Sequence, residues 1–298
     1  MKTINPSEAS SRQLHQVLLG SIGPRPVAFA STLDEKGTAN LAPFSFFNVF
    51  SSSPPVLIFS ASSRSKEPAE KDTLRNIRKT GEVVINMVDY SMSRQMAIAA
   101  VEYDQEVDEF SKSGLTPLKS QIVKPFRVKE SPAHFECQVE EIKPLGDKPR
   151  TNHLIIARVV LIHIRKEVFT KEEKIDPDKM DLVGRLGAYN YCRASGEAVF
   201  PIVQPYTEIA MGFDALPDHI KNSQVLTAND LARLAGATTL PDQKTVKSFA
   251  KDKPFLEFWE SLPANPRQRR IRIHSVIRKY LSENQVQDAW KLIMALKL

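Results

Sequence analysis

The sequence is poor in cysteine: its 298 residues include two, Cys137 and Cys192. Two exclude a disulfide framework, an iron–sulfur cluster and a four-cysteine zinc site, and make a reducing, cytoplasmic setting the expectation, with a single disulfide as the alternative. Long apolar runs are missing as well. No stretch approaches the roughly 18 residues of a membrane span, so no membrane partner is expected. The N-terminal MKTINPSEASSRQLHQ has no apolar segment of the kind a secretory signal needs. Glycine is scarce, eleven against twenty prolines, which suggests edges and turns rather than flexible linkers. No G-x-G-x-x-G is present, so a dinucleotide would not sit on a Rossmann domain. No Ser-His-Asp set, metal-ligand cluster or paired-carboxylate motif stands out, and no metal is expected.

What is present is ordinary for a globular chain, 42% hydrophobic and 26% charged, and long enough to bury a sizeable core. The net charge of +6 is unevenly placed. Residues 240–298 hold twelve Lys/Arg and six Asp/Glu, so the first 239 residues are close to neutral. Any basic surface therefore belongs to the tail. Within RQRRIRIHSVIRK (267–279), Ile271, Ile273, Val276 and Ile277 interleave with the cations, as on an amphipathic packed helix. Binding of RNA or DNA phosphates by this run is the competing reading, but nucleic acid is not the expected partner.

Periodicity divides the chain. Residues 12–20 form a helix-like lead-in. RPVAFASTL (25–33) and TANLAPFSFFNVF (38–50) read as strands joined by Asp34-Glu35-Lys36-Gly37, a hairpin connector with glycine where φ turns positive. Pro43 marks an edge or bulge. Alternation along the second run puts Phe44 and Phe46 on one face and Phe47 on the other. PPVLIFSAS (54–62) is a third strand. KDTLRNIRKTG (71–81) is a short helix with Gly81 at its C-terminal cap, and EVVINMV (82–88) returns to strand. A second helix follows, with Ser93 or Ser91 as its cap. AHFECQVEE (133–141) alternates like a half-exposed strand, and NHLIIARVVLIHI (152–164) is apolar on both faces like a central one. After Pro201 and Pro205 the pattern turns helical. Thr227…Asp230 has capping-box spacing, and so has Ser282…Gln285. Ile273, Ile277, Tyr280 and Leu281 share one helical face; Val286, Ala289, Trp290 and Ile293 share another. Trp290 and Ile293 are expected as anchors on the first domain or on a partner subunit. The fold expected is mainly β with helices, a β-barrel or sandwich over residues 1–200 carrying a mostly helical extension of unknown role over residues 201–298.

Four segments in order carry a family resemblance: RPVAFASTLDEKGTANLAPFSFFN (25–48), PPVLIFSASSRS…KDTLRNI (54–77), NHLIIARVV (152–160) and GRLGAYNYCR (184–193). Together they resemble the flavin reductase-like family, nearest to its flavoredoxin-like branch, over roughly residues 20–195. The resemblance implies a split β-barrel that binds FMN, a homodimer, and hydride transfer from NADH or NADPH to flavin N5 and on to a small-molecule or protein acceptor. A non-catalytic or electron-carrying FMN protein shares every one of these features.

The chemistry of FMN then sorts the residues. Its dianionic phosphate needs donors, and Ser60, Ala61, Ser62, Ser63, Arg64, Lys71, Asp72 and Thr73 span the implied phosphate stretch. A helix starting near Asp72 would add free N–H groups and a favourable dipole end. The same residues also suit a solvated polar loop before a helix. The ring needs a close backbone and an apolar wall, for which Leu41, Ala42, Pro43 and Phe44 are candidates. Ser45 and Asn48 suit the ribityl chain or the pyrimidine edge. Arg25, held between two prolines, could meet phosphate or ring, or be a surface arginine at a strand start. His153, Arg185 and Tyr189 are the candidates near the ring for catalysis or closure, and Cys192 is a plausible bystander. No protein nucleophile is required, because the flavin carries the redox chemistry.

Overall fold

Residues 1–61, 70–104, 107–147, 151–202 and 208–296 are described from a computed structural model. The chain divides into two compact units, Met1–Phe200 and Pro201–Leu298.

The first unit is built on seven antiparallel strands: β1 (Ala28–Leu33), β2 (Ala39–Phe44), β3 (Phe47–Ser52), β4 (Pro55–Ala61), β5 (Glu82–Asn86), β8 (Ala133–Pro144) and β9 (His153–Ile164). Two short strands, β6 (Pro117–Leu118) and β7 (Arg127–Val128), pair apart from them, as do β10 (Val183–Leu186) and β11 (Asn190–Arg193). The large sheet runs β2-β1-β5-β8-β9-β4-β3. Its two edge strands, β2 and β3, are consecutive in the chain and separated only by Ser45 and Phe46. Three extended steps reach at most about 10 Å. The two edges must therefore approach each other there, and the sheet curls into a split barrel. Phe46 O accepts from Ser60 N across the turn at 2.8 Å.

Inside the curl lie Ala28, Ala30, Phe44, Leu57, Phe59, Val83, Ile85, Cys137, Ile155 and Ala157, and α2 (Asp72–Thr80) adds Leu74 and Ile77. Gly81 ends that helix in the left-handed region at φ 66°, its N–H bonded to Ile77 O, as its position after the helix requires. On the outer face of β1 and β2, Phe29 and Leu41 pack with Met92, Met96 and Phe110 from α3 (Ser93–Ile98), the residue preceding it, and α4 (Glu109–Ser113). The Asp34 carboxylate accepts from Lys36 N and Thr38 N, which sets the β1–β2 hairpin, and Gly37 takes φ 87°. Helices α1 (Ser11–Ser21) and α5 (Pro177–Met180) complete this unit.

Three sequence expectations change here. The run 38–50 is two strands, and the break at Ser45–Phe46 resets the alternation. Phe44 and Phe47 both pack on the inner cluster, whereas Phe46 is exposed. The alternation at 133–137 does not produce a wet face. Glu136 is fully buried because its carboxylate accepts from the N–H groups of Gln121, Ile122 and Val123 and pairs with His163. Finally, neither Ser93 nor Ser91 caps α3 by its side chain. The Asp89 carboxylate accepts from Met92 N and from the Ser91 hydroxyl instead.

The second unit contains α6 (Asp218–Lys221), α7 (Ala228–Ala235), α8 (Gln243–Phe249), α9 (Lys253–Glu260), α10 (Pro266–Ser282) and α11 (Val286–Ala295). It has its own core, in which Leu216, Ile220, Leu231, Leu234, Ile277 and Leu281 surround Trp290 and Ile293. These last two are thus anchors inside this unit's own core. The capping box at Thr227 and Asp230 forms in both directions. The one expected at Ser282 does not. Ser282 is the last residue of α10 and donates to Lys279 O, while Asn284 at φ 60° makes the turn. Among the described residues no helix is long and apolar enough to cross a membrane, and no group of three His, Cys, Asp or Glu could hold a metal ion.

Candidate functional site

The site is assembled at the open edge of β2. Residues 41 and 43 share a register parity on β1, opposite Ser31 and Phe29. Pro43 has no N–H, so that edge position cannot template another strand. The Leu41 N–H is instead taken by the carboxylate of Glu109 at 3.1 Å. Glu109 is 7% exposed, and burial pushes its pKa up to about 7. Beside it lies a cavity of about 50 Å³, lined by Asn40, Ala42, Pro43, Lys71, Thr73, Tyr103 and Glu109 among others.

The helix α2 begins at this cavity. Lys71 is its N-cap in extended conformation, and the Lys71 side chain makes no capping hydrogen bond. The Lys71 ammonium lies 5.6 Å from the Phe44 ring centroid, and Phe44 in turn meets Phe59 at 5.3 Å. Asp72 forms an ion pair with Arg75. Behind them is a dry polar layer. Asn40 Nδ2 donates to Thr32 Oγ1 at 3.2 Å and to Thr73 Oγ1 at 2.9 Å, and Asn76 Nδ2 donates to Thr32 Oγ1 at 3.1 Å. Thr73 therefore faces inward, buried, and holds α2 to the β1–β2 hairpin. Lys71, Asp72 and Thr73 at the start of α2 line the cavity.

The other sequence candidates fall in two further places. Ser60 and Ala61 end β4 beside Leu154 and His153 of β9. Ser60 Oγ and His153 Nδ1 are buried without a hydrogen-bond partner among the described residues. Asn48 is exposed on β3, and its Oδ1 accepts from Val49 N. Ser45 lies half-buried at the seam. Ser62, Ser63 and Arg64 lie outside the described residues.

Arg25 and Arg185 stand in a separate knot. The Arg25 guanidinium donates to the carbonyls of Leu19, Ile22 and Gly187, and the two arginines bridge main chain to main chain at 3.0 and 2.8 Å. Burial and the Arg185 charge lower the pKa of Arg25. Its two terminal nitrogens donate to carbonyls, so Arg25 braces α1 against the β10–β11 hairpin, while its Nε is buried with no hydrogen-bond partner among the described residues. Arg185 donates to Ala188 O and lies over Tyr191. Tyr189, at the hairpin tip, is 91% exposed. Cys192 packs beside Gly184, and both cysteines are free.

The comparisons agree with this architecture. The sequence family described as the flavin reductase like domain matches residues 20–183. The chain belongs to the flavin reductase-like family. An uncharacterized protein of Aquifex aeolicus is 38% identical over 190 residues, 64% of this chain and 94% of that protein. Among solved structures, nitrilotriacetate monooxygenase component B of Bacillus cereus is 31% identical with a TM-score of 0.63, covering 68% of this chain and 98% of that one. The 2-nitrobenzoate 2-nitroreductase of Pseudomonas fluorescens is 27% identical with a TM-score of 0.61, covering 70% and 100%. For this flavin reductase-like protein, sequence reasoning missed Glu109, Asn40 and Asn76. Glu109 sits on a five-residue helix with no motif around it, and the amides look like surface residues until β2 and α2 meet.

Proposed function

We propose that the barrel unit binds FMN in preference to FAD and acts as an NADH- or NADPH-dependent flavin oxidoreductase. The observation that supports this reading is the start of α2, where Lys71, Asp72 and Thr73 meet Asn40, Ala42 and Pro43 of β2 around one small cavity. A cavity of about 50 Å³ suits a phosphate group or a few waters, and not a ring. The ring would lie outside it, along Leu41–Phe44 and the seam at Ser45. The unpartnered Ser60 Oγ and His153 Nδ1 fit the polar ribityl chain or ring edge.

When bound, FMN supplies the redox chemistry by accepting a hydride and passing electrons on. The protein holds and orients. Lys71 and the α2 amides compensate phosphate charge. Pro43 keeps the β2 edge clear of pairing, and Phe44, locked against Phe59, gives a rigid apolar wall. The nicotinamide dinucleotide would dock transiently, for want of a Rossmann motif.

The exposed Phe46, Val49 and Phe50 at the seam and on β3 favour a homodimer, a surface of this kind being costly to leave wet. The acceptor is a partner protein or a small molecule. One relative is named as a component of a monooxygenase, the other for reducing 2-nitrobenzoate. A cytoplasmic location fits two free thiols.

The test is titration of purified protein with FMN, FAD and riboflavin, followed by NADH and NADPH oxidation. Lys71→Ala should weaken FMN binding about tenfold or more, the worth of a hydrogen bond to a charged group. Thr73→Ala alone should act through stability. FMN binding without any NAD(P)H oxidation would favour the electron-carrier reading, and no flavin binding at all would reject both.

A further inference from the structure

Residues 267–279 can pack and bind at once, because α10 keeps its apolar and its basic residues on different sides. Ile273, Ile277 and Leu281 pack into the core of the second unit with Trp290 and Ile293. Arg267, Ile271, Arg272, Arg278 and Lys279 lie on the other arc of the helix and are exposed. Arg270, a turn before the core contacts begin, is exposed as well. The helix contains no Asp or Glu. Two of its cations are matched by acids outside it: Arg278 Nε lies 3.5 Å from Asp230 of α7, and Lys279 Nζ lies 3.9 Å from Glu283. Where α9 meets α10, the Arg269 guanidinium lies 4.9 Å from the Trp259 ring centroid, and Glu257 of α9 pairs with Lys253. Arg267, Arg270 and Arg272 make no ion pair among the described residues, with Glu260 or any other acid. These three charges stand in the first two turns of α10, the end at which the helix dipole disfavours cations. The main chain there is already served, since Asn265 Oδ1 accepts from Arg267 N and Gln268 N. What stays uncompensated is the row of side chains, not the helix end. A local rule broken with no gain inside the fold points to a partner outside it.

We propose that the exposed face of α10 is a docking surface for the phosphodiester backbone of a nucleic acid, with Arg267, Arg270 and Arg272 as its main contacts. The proposal is independent of the FMN reading. From Arg267 to Lys279 the face runs for about 18 Å along the helix axis. Cations spread over that length match a polymer of regularly repeated charge rather than one small anion. Each guanidinium forks two N–H groups toward a single phosphate. A bilayer fits less well. A helix lying in a membrane surface needs its apolar face free. In α10 that face is spent on the core, which leaves only Ile271 apolar on the exposed arc. An acidic protein would meet a basic row without the apolar centre that carries most of the affinity of such interfaces. Contacts of this kind go to phosphates and not to base edges, so binding is independent of sequence.

The experiment uses the full chain and a fluorescein-labelled DNA duplex of mixed sequence. Affinity is read by anisotropy over a series of salt concentrations. The proteins are wild type, the triple variant Arg267→Gln/Arg270→Gln/Arg272→Gln, and a control of equal charge loss, Lys36→Gln/Lys171→Gln/Lys174→Gln, at exposed positions of the first unit. Three phosphate contacts give a slope of log affinity on log salt of about −2.7, a fall of about fortyfold between about 50 and 200 mM. The arginine variant loses about that much slope and about tenfold or more in affinity at the lower salt, and the lysine control keeps both. The arginine variant removes exposed charges that the dipole disfavours, so its fold is retained. Emission of Trp259 and Trp290 checks this for the second unit. Should the variant misfold, Arg272→Gln alone carries the test, with a slope change of about 0.9. An unchanged slope in the arginine variant, or an equal loss in the lysine control, overturns the assignment to α10. Competition by polyglutamate as strong as by unlabelled DNA, or retention on phosphatidylserine vesicles without DNA binding, overturns nucleic acid as the partner. No DNA binding by wild type at low salt rejects the proposal outright.

Discussion

Asn86 Oδ1 lies 2.9 Å from His134 Nδ1, a buried cross-strand pair of β5 and β8. The amide cannot be turned over, because its Nδ2 donates to Phe29 O and its Oδ1 accepts from Val128 N. The network therefore assigns the proton of His134 to Nδ1. Asn86 joins three separate pieces of chain through one side chain. Asn86→Ala strands an N–H, a carbonyl and an imidazole, each costing about 1–3 kcal/mol when buried without a partner. A loss of about 3 kcal/mol is expected from urea unfolding of the barrel unit. A loss below 0.5 kcal/mol would refute the network.

Acid should act on both units through histidine. Burial lowers His134 and His274 to about 4 from an ordinary 6.5. Their contribution to stability is intact above pH 6.5 and is lost as pH falls toward 4, by up to roughly 3 kcal/mol each. Glu109 works the other way in the barrel unit: held near 7, it favours the fold below pH 4.5 and loses that advantage as pH rises through 7. Both tryptophans of the chain, Trp259 and Trp290, lie in the second unit, so tryptophan emission follows that unit alone. His274→Gln retains an acceptor for the Ser223 hydroxyl and should move the acid midpoint of that emission downward. An unmoved midpoint rules out His274 as the source.

Trp290 is 2% exposed and donates from Nε1 to Leu234 O. Trp290→Ala should cost about 3–5 kcal/mol, the usual penalty for emptying a buried aromatic site. The loss should fall on the transition of the second unit. FMN affinity should be unchanged, and a parallel loss of affinity would tie the helical unit to the site.

Gly184 has no room for a side chain. A Cβ there would lie 2.8 Å from Pro24 Cβ and 3.2 Å from Cys192 Sγ. Gly184→Ala should destabilise the first unit by about 1–3 kcal/mol through overpacking. Adding Cys192→Ala should recover only part of this, since Pro24 is held by the Arg25–Arg185 bridge. Full recovery in the double variant would place the strain on Cys192 instead.

Much of this architecture is legible in the sequence because local chemistry fixes it. Asp34 and Gly37 set a hairpin, Gly81 a helix end, Pro43 an edge, and Thr227 with Asp230 a cap. What escapes is whatever depends on distant chain. Nothing near His134 or Glu136 announces that residues 117–128 will fold over them. The change of face at Ser45–Phe46 depends on two strands joining opposite edges, which no period-two pattern records. Ser282 has the spacing of a cap, but α10 is stable enough to run through it. At the site, Lys71 is legible as a donor before a helix. Glu109 is not, since only the tertiary fold brings it to Leu41.

The seam between β2 and β3 also has a bearing on how the chain can be rewired. Every other neighbour in the large sheet is held by a hydrogen-bonded ladder, whereas β2 and β3 share no ladder and are joined through Ser45 and Phe46. A cut between Ser45 and Phe46 would break the tether and none of the six ladders. Its two new termini would lie at the seam, so a sequence inserted there would leave the pairing of the sheet untouched.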